Sequence, residues 1–444
     1  MSKYYSKWTF LLIFILVVLL CIGISKSKSL SAKYHSWLYK PLPAVSVGGF
    51  SLPGSYYEVS VPPGKIDQYL TADYRLWIPN QIGEIRGLIV RQHGCGDQAA
   101  ATGLDYANDF QWQAFARKHK FALLGAKYLT GDKPCELWAL INYGSKEALL
   151  KALHTFAKKS RRPELEAVPW ILWGHSGGAD WAAQMMQEYP DRTIAMVAAR
   201  SGGFQFFGTN PTLIGVPVIF LLGKNDPYAE GVNKFTQQAF SRYRRINAPW
   251  AIATDPNAGH EAGNSRFLAI PYLDAIINQR LPNIGNQLYS IKVSEGWLGN
   301  ATTHAIAPIK QYKEDLLKAA WFPNEEVARK WQEYVSKGEI SPTHKPAVPI
   351  EVHALKNTKA EAVITWNYQP NVENGLPLFR IYRGRSLIAT LQGQEHNFGD
   401  APEPSNVVLE FVDKDAGFDS TYTVAAFNAL GESASESTPL KENR

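Results

Sequence analysis

The segment WILWGHSGGADW, residues 170–181, constrains the fold of this chain more than any other stretch. An apolar run ends at a small polar residue, Ser176, with Gly174 and Gly178 two positions to either side, and a helix-like pattern follows. A strand that turns into a helix through one residue brings the two elements too close for side chains at the glycine positions. The segment therefore predicts a strand–turn–helix corner that exposes the Ser176 hydroxyl above a sheet.

The chain around this corner alternates between strand-like and helix-like patterns from about residue 55 to 285. Continuous apolar runs bounded by Gly or Pro suit strands covered on both sides, and helices between them imply right-handed crossovers. We therefore predict an α/β domain over 45–285, with a mostly parallel sheet and helices on both faces. The predicted strands are 74–79, 86–94, 121–129, 168–174, 193–202, 216–227 and 249–260, and the predicted helices include 109–120, capped by Asp109, and 145–159.

The rest of the chain has a different residue pattern after this region, and the total length of 444 residues suggests two or three domains. Residues 286–340 contain an amphipathic helix with Val327, Trp331 and Val335 in register, so we expect a helical extension that packs on the α/β domain. Residues 341–348 form a Pro-rich linker. Residues 349–444 alternate with period two between turn signals, which predicts a small antiparallel β-sandwich.

The N-terminus has a basic start, an apolar core TFLLIFILVVLLCIGI and a polar exit. This pattern over residues 1–33 predicts either a cleaved signal peptide or a retained membrane anchor through residues 9–24. Both interpretations imply export, to the periplasm, the cell surface or the exterior.

The charge of the chain is concentrated at that end. Residues 1–40 contain six lysines and no acid, and subtracting them from 46 basic residues leaves 40, matched by 40 acidic residues. The folded part is therefore neutral, and the composition does not support a nucleic-acid partner.

A serine hydroxyl becomes nucleophilic only when a base takes its proton and a carboxylate orients that base. Asp226 follows the predicted strand 216–227, and His260 follows the next one, so both lie where the carboxyl ends of parallel strands meet. The order Ser176, Asp226, His260 is the one expected for this type of sheet. Asp255 and Glu230 are the rival acids.

A negatively charged intermediate at Ser176 would need two N–H donors. The Gly177 amide supplies one, and the loop RQHGCGDQ supplies the other, which we assign to Cys95 because glycines on both sides allow close approach. We expect His93 to order this loop by hydrogen bonding. The Cys95 thiol has no partner base of its own, which argues against Cys95 as the nucleophile.

Outside the leader the chain has two cysteines, Cys95 and Cys135. An exported protein with two cysteines favours one disulfide, although two free buried thiols remain the alternative. The sequence has no metal-ligand cluster, no phosphate-binding glycine loop and no CxxC spacing, so no cofactor or metal is expected. The glycine-rich segment RSGGF, 200–204, predicts a turn near the pocket around Ser176.

With these residues in place, 50–285 resembles the α/β-hydrolases, and within them the secreted feruloyl esterase and polyhydroxybutyrate depolymerase-like group. The resemblance lies in HGCG and CELW, and it implies a disulfide between Cys95 and Cys135 and a serine esterase that acts on polysaccharide esters or related polyesters through an acyl-enzyme. The sequence departs from the group at Trp138, which does not directly follow the cysteine, and at Gly177, where alanine is usual.

Residues 349–444 resemble a fibronectin type III module, on the strength of Trp366, Tyr382 and Tyr422. Such modules in extracellular hydrolases mostly act as spacers, and no exposed aromatic row supports a carbohydrate-binding role.

Two other functions stay open. The same three residues would serve a serine peptidase, and a hydrolase-like domain without activity could act as a binding protein. Glu136, Trp138 and Phe204 are candidates for the pocket lining, with core packing or surface exposure as the alternative.

Overall fold

The computed structural model describes residues 52–131, 133, 136–201, 211–370, 377–391 and 409–442. Among these residues, no helix combines the length and the apolarity that a membrane crossing requires. The predicted leader, residues 1–33, lies outside them. Residues 46–444 form one compact unit, and the predicted domain boundaries within it remain predictions.

An eight-stranded mixed sheet forms the core, with the order β1-β2-β4-β3-β5-β6-β7-β8. Within it β2 runs antiparallel to both neighbours, and the pairs from β4 through β3 to β8 are parallel, so the predicted mostly parallel sheet is confirmed. The first strand was not predicted. The strands are β1 Gly54–Val61, β2 Thr71–Pro79, β3 Gly87–Gln92, β4 Phe121–Leu129, β5 Trp170–His175, β6 Thr193–Ala199, β7 Val218–Gly223 and β8 Trp250–Asp255.

The helices connect these strands and bury apolar faces against the sheet. They are α1 Asp97–Ala101, α2 Phe110–His119, α3 Glu136–Ala139, α4 Ser145–Ser160, α5 Gly177–Glu188, α6 Val232–Arg245 and α7 Arg266–Arg280. The predicted cap is confirmed, because the Asp109 carboxylate accepts hydrogen bonds from the amides of Gln111 and Trp112. The same buried carboxylate pairs with Arg91 at 3.1 Å and with Arg266, so its charge is compensated on two sides.

The extension after α7 contains more than the predicted helix. A three-stranded antiparallel sheet of order β10-β9-β11 precedes α8 Glu325–Lys337. The strands are short, β9 Trp297–Asn300, β10 Ile306–Pro308 and β11 Ala319–Phe322, and two of them lack the apolar alternation that marks a strand. The predicted helix is present, and the extension also contains a small sheet that the sequence analysis did not predict.

The extension packs against the edge of the main sheet. Trp331 on α8 is fully buried, and its indole Nε1–H donates to the Ile252 carbonyl of β8 at 2.7 Å. Arg244 of α6 is also buried, and its Nε donates to the Ala319 carbonyl at 2.6 Å. A buried aromatic ring and a buried guanidinium thus join the extension to the edge of the main sheet.

Two antiparallel sheets follow the linker, with orders β12-β13-β16 and β15-β14-β17-β18, and β19 pairs with β17. Their inward positions alternate as predicted, since Ala362, Ile364 and Trp366 of β13 are buried while their neighbours are not. The Tyr422 hydroxyl donates to the Asp413 carboxylate at 2.7 Å, which links the two sheets. The strands are β12 Ile350–Lys356, β13 Ala362–Asn367, β14 Leu378–Arg383, β15 Ser386–Leu391, β16 Glu410–Asp413, β17 Thr421–Asn428, β18 Gly431–Ala434 and β19 Thr438–Pro439.

We predict that Trp331→Ala lowers the free energy of unfolding by about 3–5 kcal/mol, because it removes a buried indole and its hydrogen bond. Chemical denaturation measures the change. Arg329→Ala on the exposed side of the same helix is the control and should cost only about 0.5 kcal/mol. Equal effects of the two substitutions would contradict the packing of α8 on β8.

Candidate active site

Ser176 forms the predicted corner between β5 and α5. Its backbone has φ 51° and ψ −123°, a conformation that residues with a side chain rarely adopt. The Ser176 amide donates to the Ala199 carbonyl of β6 at 2.8 Å, and the Ser176 carbonyl accepts from the Ala179 amide at 2.9 Å. These two bonds hold the strained residue between strand and helix, and the backbone has the strand–turn–helix corner expected from GHSGG.

The corner requires glycine at two positions, because a side chain at either one would overlap backbone atoms. A Cβ added to Gly174 would lie 2.1 Å from the Gly178 carbonyl oxygen, and one added to Gly178 would lie 2.3 Å from the His93 carbonyl oxygen. Both obstacles are backbone atoms, which cannot move aside as a flexible side chain can. The helix therefore reaches the strand only because neither position carries a side chain.

The structure brings the three predicted residues together. His260 Nε2 lies 3.1 Å from Ser176 Oγ, and His260 Nδ1 lies 2.9 Å from Asp226 Oδ2. The Asp226 side chain is fully buried, and its other oxygen accepts from the Tyr228 amide at 2.8 Å. With Nδ1–H donating to the carboxylate, Nε2 is left to accept the Ser176 hydroxyl proton.

The rival acids are placed elsewhere. Asp255 Oδ1 accepts from the amides of Asn257 and Ala258, and Asp255 Oδ2 accepts from the Tyr334 hydroxyl at 3.0 Å. Glu230 is exposed. Asp255 therefore shapes the loop that carries His260, while Asp226 contacts the imidazole.

The predicted second donor loop lies against the corner. A Cβ added to Gly94 would be 3.2 Å from Ser176 Cβ, and one added to Gly177 would be 3.7 Å from the Cys95 amide nitrogen. The Gly177 amide is the first of α5, where backbone N–H groups have no partner within the helix. Both amides assigned to the oxyanion therefore flank Ser176.

Cys95 is disulfide-bonded. Its predicted partner, Cys135, lies outside the described residues, so the pairing itself stays a prediction. A Cβ added to Gly177 would lie 2.7 Å from the Cys95 sulfur, which makes glycine the residue that fits after Ser176 here. This contact gives a steric reason for the departure from alanine at that position.

His93 orders this loop, as predicted. Its Nδ1–H donates to the Gly94 carbonyl at 2.5 Å, and its Nε2 accepts from the Tyr128 amide at 2.9 Å. Burial lowers the pKa of His93 to about 4, so the neutral form that makes both bonds persists at neutral pH. Trp138, a candidate for the pocket wall, is instead fully buried and stacks on Tyr128 with ring centroids 5.0 Å apart.

Two other candidates for the pocket lining cannot be compared with the structure. Phe204 and the rest of 202–210 lie outside the described residues, as does the Glu136 side chain. Arg200, at the start of RSGGF, is buried with φ 57°, and its Nε donates to the Gly259 carbonyl beside His260 at 2.9 Å. Over the described ranges, no cluster of three or more His, Cys, Asp or Glu side chains could hold a metal ion.

Two residues that contact His260, and a third that supports its loop, were missed from the sequence. His175 Nε2–H donates to the His260 carbonyl at 2.7 Å, and burial lowers the pKa of His175 to about 4. The Tyr228 ring packs edge-on against the His260 ring at 5.0 Å and is 62% exposed. The third is Tyr334, which acts through Asp255 as described. The place of His175 inside the GHSGG corner was the only signal in the sequence for any of them.

The extension also supports the loop that carries His260. Asn257 Nδ2 donates to the Lys337 carbonyl at 2.7 Å, and Asn264 Nδ2 donates to the Gly338 carbonyl at 2.9 Å. Together with the Tyr334 bond, these contacts tie the end of α8 to both sides of His260.

Comparisons with protein-family models and with curated proteins found no match. Among solved structures, a ferulic acid esterase is 11% identical over 51% of this chain and 100% of its own, with a TM-score of 0.38. Poly(aspartic acid) hydrolase-1 from Sphingomonas sp. KT-1 is 18% identical over 47% of this chain and 94% of its own, with a TM-score of 0.35. An acetyl xylan esterase from Aspergillus awamori is 14% identical over 46% of this chain and 94% of its own, with a TM-score of 0.33. All three TM-scores are below 0.5, so these similarities do not indicate a function for this chain.

We predict that Gly174→Ala lowers kcat/KM for any ester substrate about a hundredfold, because separating α5 from β5 displaces Ser176. Gly83→Ala is the matched control, since its added Cβ meets no atom within 4 Å. Steady-state kinetics with a nitrophenyl ester measures both. A Gly174→Ala enzyme as active as the control would refute the steric account of the corner.

We also predict a pH-dependent stability from His93. Because its pKa falls from 6.5 in the unfolded chain to about 4 in the folded one, the unfolded state binds more protons between these values. Stability is therefore retained above pH 6.5 and lost as the pH falls toward 4, by about 2 kcal/mol at pH 4.5. Denaturation of wild type and His93→Gln at pH 7 and 4.5 measures this. The wild type should lose about 2 kcal/mol more than the variant, and equal losses would exclude His93 as the cause.

Proposed function

We propose that this protein is a serine hydrolase that cleaves carboxylic esters through an acyl-enzyme. The observation that carries the proposal is the unbroken chain of short contacts from Ser176 Oγ through His260 to the buried Asp226. This arrangement lets an imidazole take a proton from a hydroxyl while a carboxylate fixes its tautomer.

In the acylation step, Ser176 Oγ attacks the ester carbonyl carbon and its proton passes to His260 Nε2. Asp226 stabilises the imidazolium that forms. The negative charge on the former carbonyl oxygen is taken up by the Gly177 and Cys95 amides, whose positions flank the serine. The intermediate then collapses, the C–O bond to the alcohol breaks, and His260 returns the proton to the leaving alkoxide.

Deacylation repeats these steps with water. His260 accepts a proton from a water molecule, whose oxygen attacks the acyl carbon and releases the carboxylic acid as Ser176 regains its proton. His175 and Arg200 hold the His260 segment through backbone carbonyls, so the imidazole can serve both steps from one position. In this mechanism His260 carries each proton between Ser176, the leaving alcohol and water.

We propose that the substrate is an ester group on a polysaccharide or a related polyester. Support comes from the resemblance of HGCG and the corner to secreted esterases, and from Tyr228, whose exposed ring beside His260 offers a stacking face for a sugar or an aromatic acid. The C-terminal sheets would then serve as a fibronectin type III-like spacer.

We predict that Ser176→Ala reduces hydrolysis of nitrophenyl acetate by at least about a thousandfold and abolishes labelling by a fluorophosphonate probe. Ser336→Ala, an exposed serine on α8, is the control and should behave as wild type. A panel of acetyl, feruloyl and hydroxybutyrate esters, with a peptide amide library alongside, identifies the acyl group.

Undiminished ester hydrolysis by the Ser176→Ala variant would refute the assignment of the nucleophile. Faster cleavage of peptides than of every ester would replace the esterase by a peptidase that uses the same residues. Failure of the wild type to react with the probe would favour the inactive binding protein.

A further inference from the structure

Helix α6 carries an exposed cationic face that the hydrolase mechanism does not use. Its sequence, VNKFTQQAFSRYRR, has four basic residues and no acid. Lys234, Arg242 and Arg245 are exposed and share one side of the helix with Gln237 and Gln238, since these positions are three or four residues apart. The chain beyond its first 40 residues is neutral, so this positive face is a local feature.

A cavity of about 250 Å³ adjoins this face, between α6, β8 and the extension. Its polar lining is Gln237, Ser241, Thr254, Thr302, His304 and Lys318, and apolar side chains of β8 and α8 complete it. We call this cavity and the exposed residues of α6 together the α6 groove. Its volume lies near the lower end of small-ligand sites, which suits one sugar unit better than a large aromatic molecule.

Three polar side chains of this groove are available to a ligand, while Ser241 donates to the Leu317 carbonyl at 3.2 Å and His304 contacts the Ser336 hydroxyl. Within the described part of the chain, the side chains of Gln237, Thr254 and Lys318 make no hydrogen bond to another residue. The neighbouring acids are already engaged, since Glu314 accepts from Asn300 and Thr303, and Asp315 caps the turn 316–318. Among the described residues, Lys234, Arg245 and Lys318 form no ion pair with an acid.

The groove begins beside the catalytic loop. The Val232 amide at the start of α6 donates to the Tyr228 carbonyl at 2.8 Å, and Asp226 lies two residues before Tyr228. From Lys234 to Arg245 the helix extends by about 16 Å, which is enough for several linked sugars. A polymer that presents an ester to Ser176 could therefore continue along α6.

We propose that the α6 groove binds an acidic polysaccharide, a sugar chain with carboxylate or sulfate groups, and so holds the polymer next to the active site. The proposal rests on the proposed function, because it names the class of polymer whose esters Ser176 would cleave. The cations pair with the acidic groups, while the amide, hydroxyl and imidazole side chains bind the sugar hydroxyls. A membrane surface and a nucleic acid are the other anionic partners that this charge could attract, and the test below includes both.

The test uses the full-length chain with Ser176→Ala, so that binding is measured without turnover. We expect saturable binding of polygalacturonate or dextran sulfate in titration calorimetry, weakened by salt. Neutral dextran should bind at least tenfold more weakly. Comparison of the two acidic polymers decides between carboxylate and sulfate.

Removing the charges of Lys234, Arg245 and Lys318 by substitution with Gln should weaken this binding at least tenfold. The matched control is Lys151→Gln, Lys158→Gln and Lys359→Gln together, which removes three exposed charges elsewhere and should bind as before. Lys318→Glu alone is a second variant. We expect this single charge reversal to weaken polymer binding as well.

Equal binding of acidic and neutral polymers, or unchanged binding by the Gln variant, would overturn the proposal. Tighter binding of duplex DNA or of phosphatidylserine vesicles than of either acidic polysaccharide would overturn it as well. With Ser176 present, the Gln variant should hydrolyse nitrophenyl acetate at the wild-type rate. This measurement distinguishes a loss of polymer binding in the α6 groove from a failure of the hydrolase assignment.

Discussion

The close approach of β5 and α5 at Ser176 is the constraint on which the site depends. Gly174 and Gly178 let a helix start within backbone contact of the strand, and hydrogen bonds to Ala179 and Ala199 hold Ser176 at a positive φ. That geometry lifts the hydroxyl to the carboxyl edge of the sheet and points the first amides of α5 at the same place. The oxyanion loop, the histidine loop and the acid are then arranged around a point that the corner defines.

The histidine loop is held by more of the molecule than its own strand. Hydrogen bonds reach residues 255–264 from three other parts of the fold. They come from Arg200, which directly follows β6, from His175 of β5 and from the end of α8. Such support limits the motion of a catalytic imidazole, whose reach to the serine oxygen must stay within a fraction of an ångström. The extension, 286–340, thereby supports the loop that carries His260 and also covers the sheet edge.

Two neutral histidines add to this arrangement. His93 and His175 are each held uncharged by burial, and each directs one N–H at a backbone carbonyl. A neutral imidazole orders a loop without adding its own positive charge near the imidazolium that the proposed mechanism forms on His260. Burial therefore serves the chemistry as well as the fold.

The sequence by itself determined the corner, the parallel strands, the cap at Asp109 and the candidates Ser176, Asp226 and His260, because each stands in a local pattern that can be recognised within a few residues. Only the tertiary structure decided that Asp226 rather than Asp255 meets the imidazole, that Trp138 is buried, and that the extension contains β9, β10 and β11. These outcomes arise from contacts between residues far apart in the chain, such as Tyr334 with Asp255 and Trp331 with Ile252. Local periodicity does not indicate which distant residue a side chain will contact, so these contacts are seen only in the folded structure.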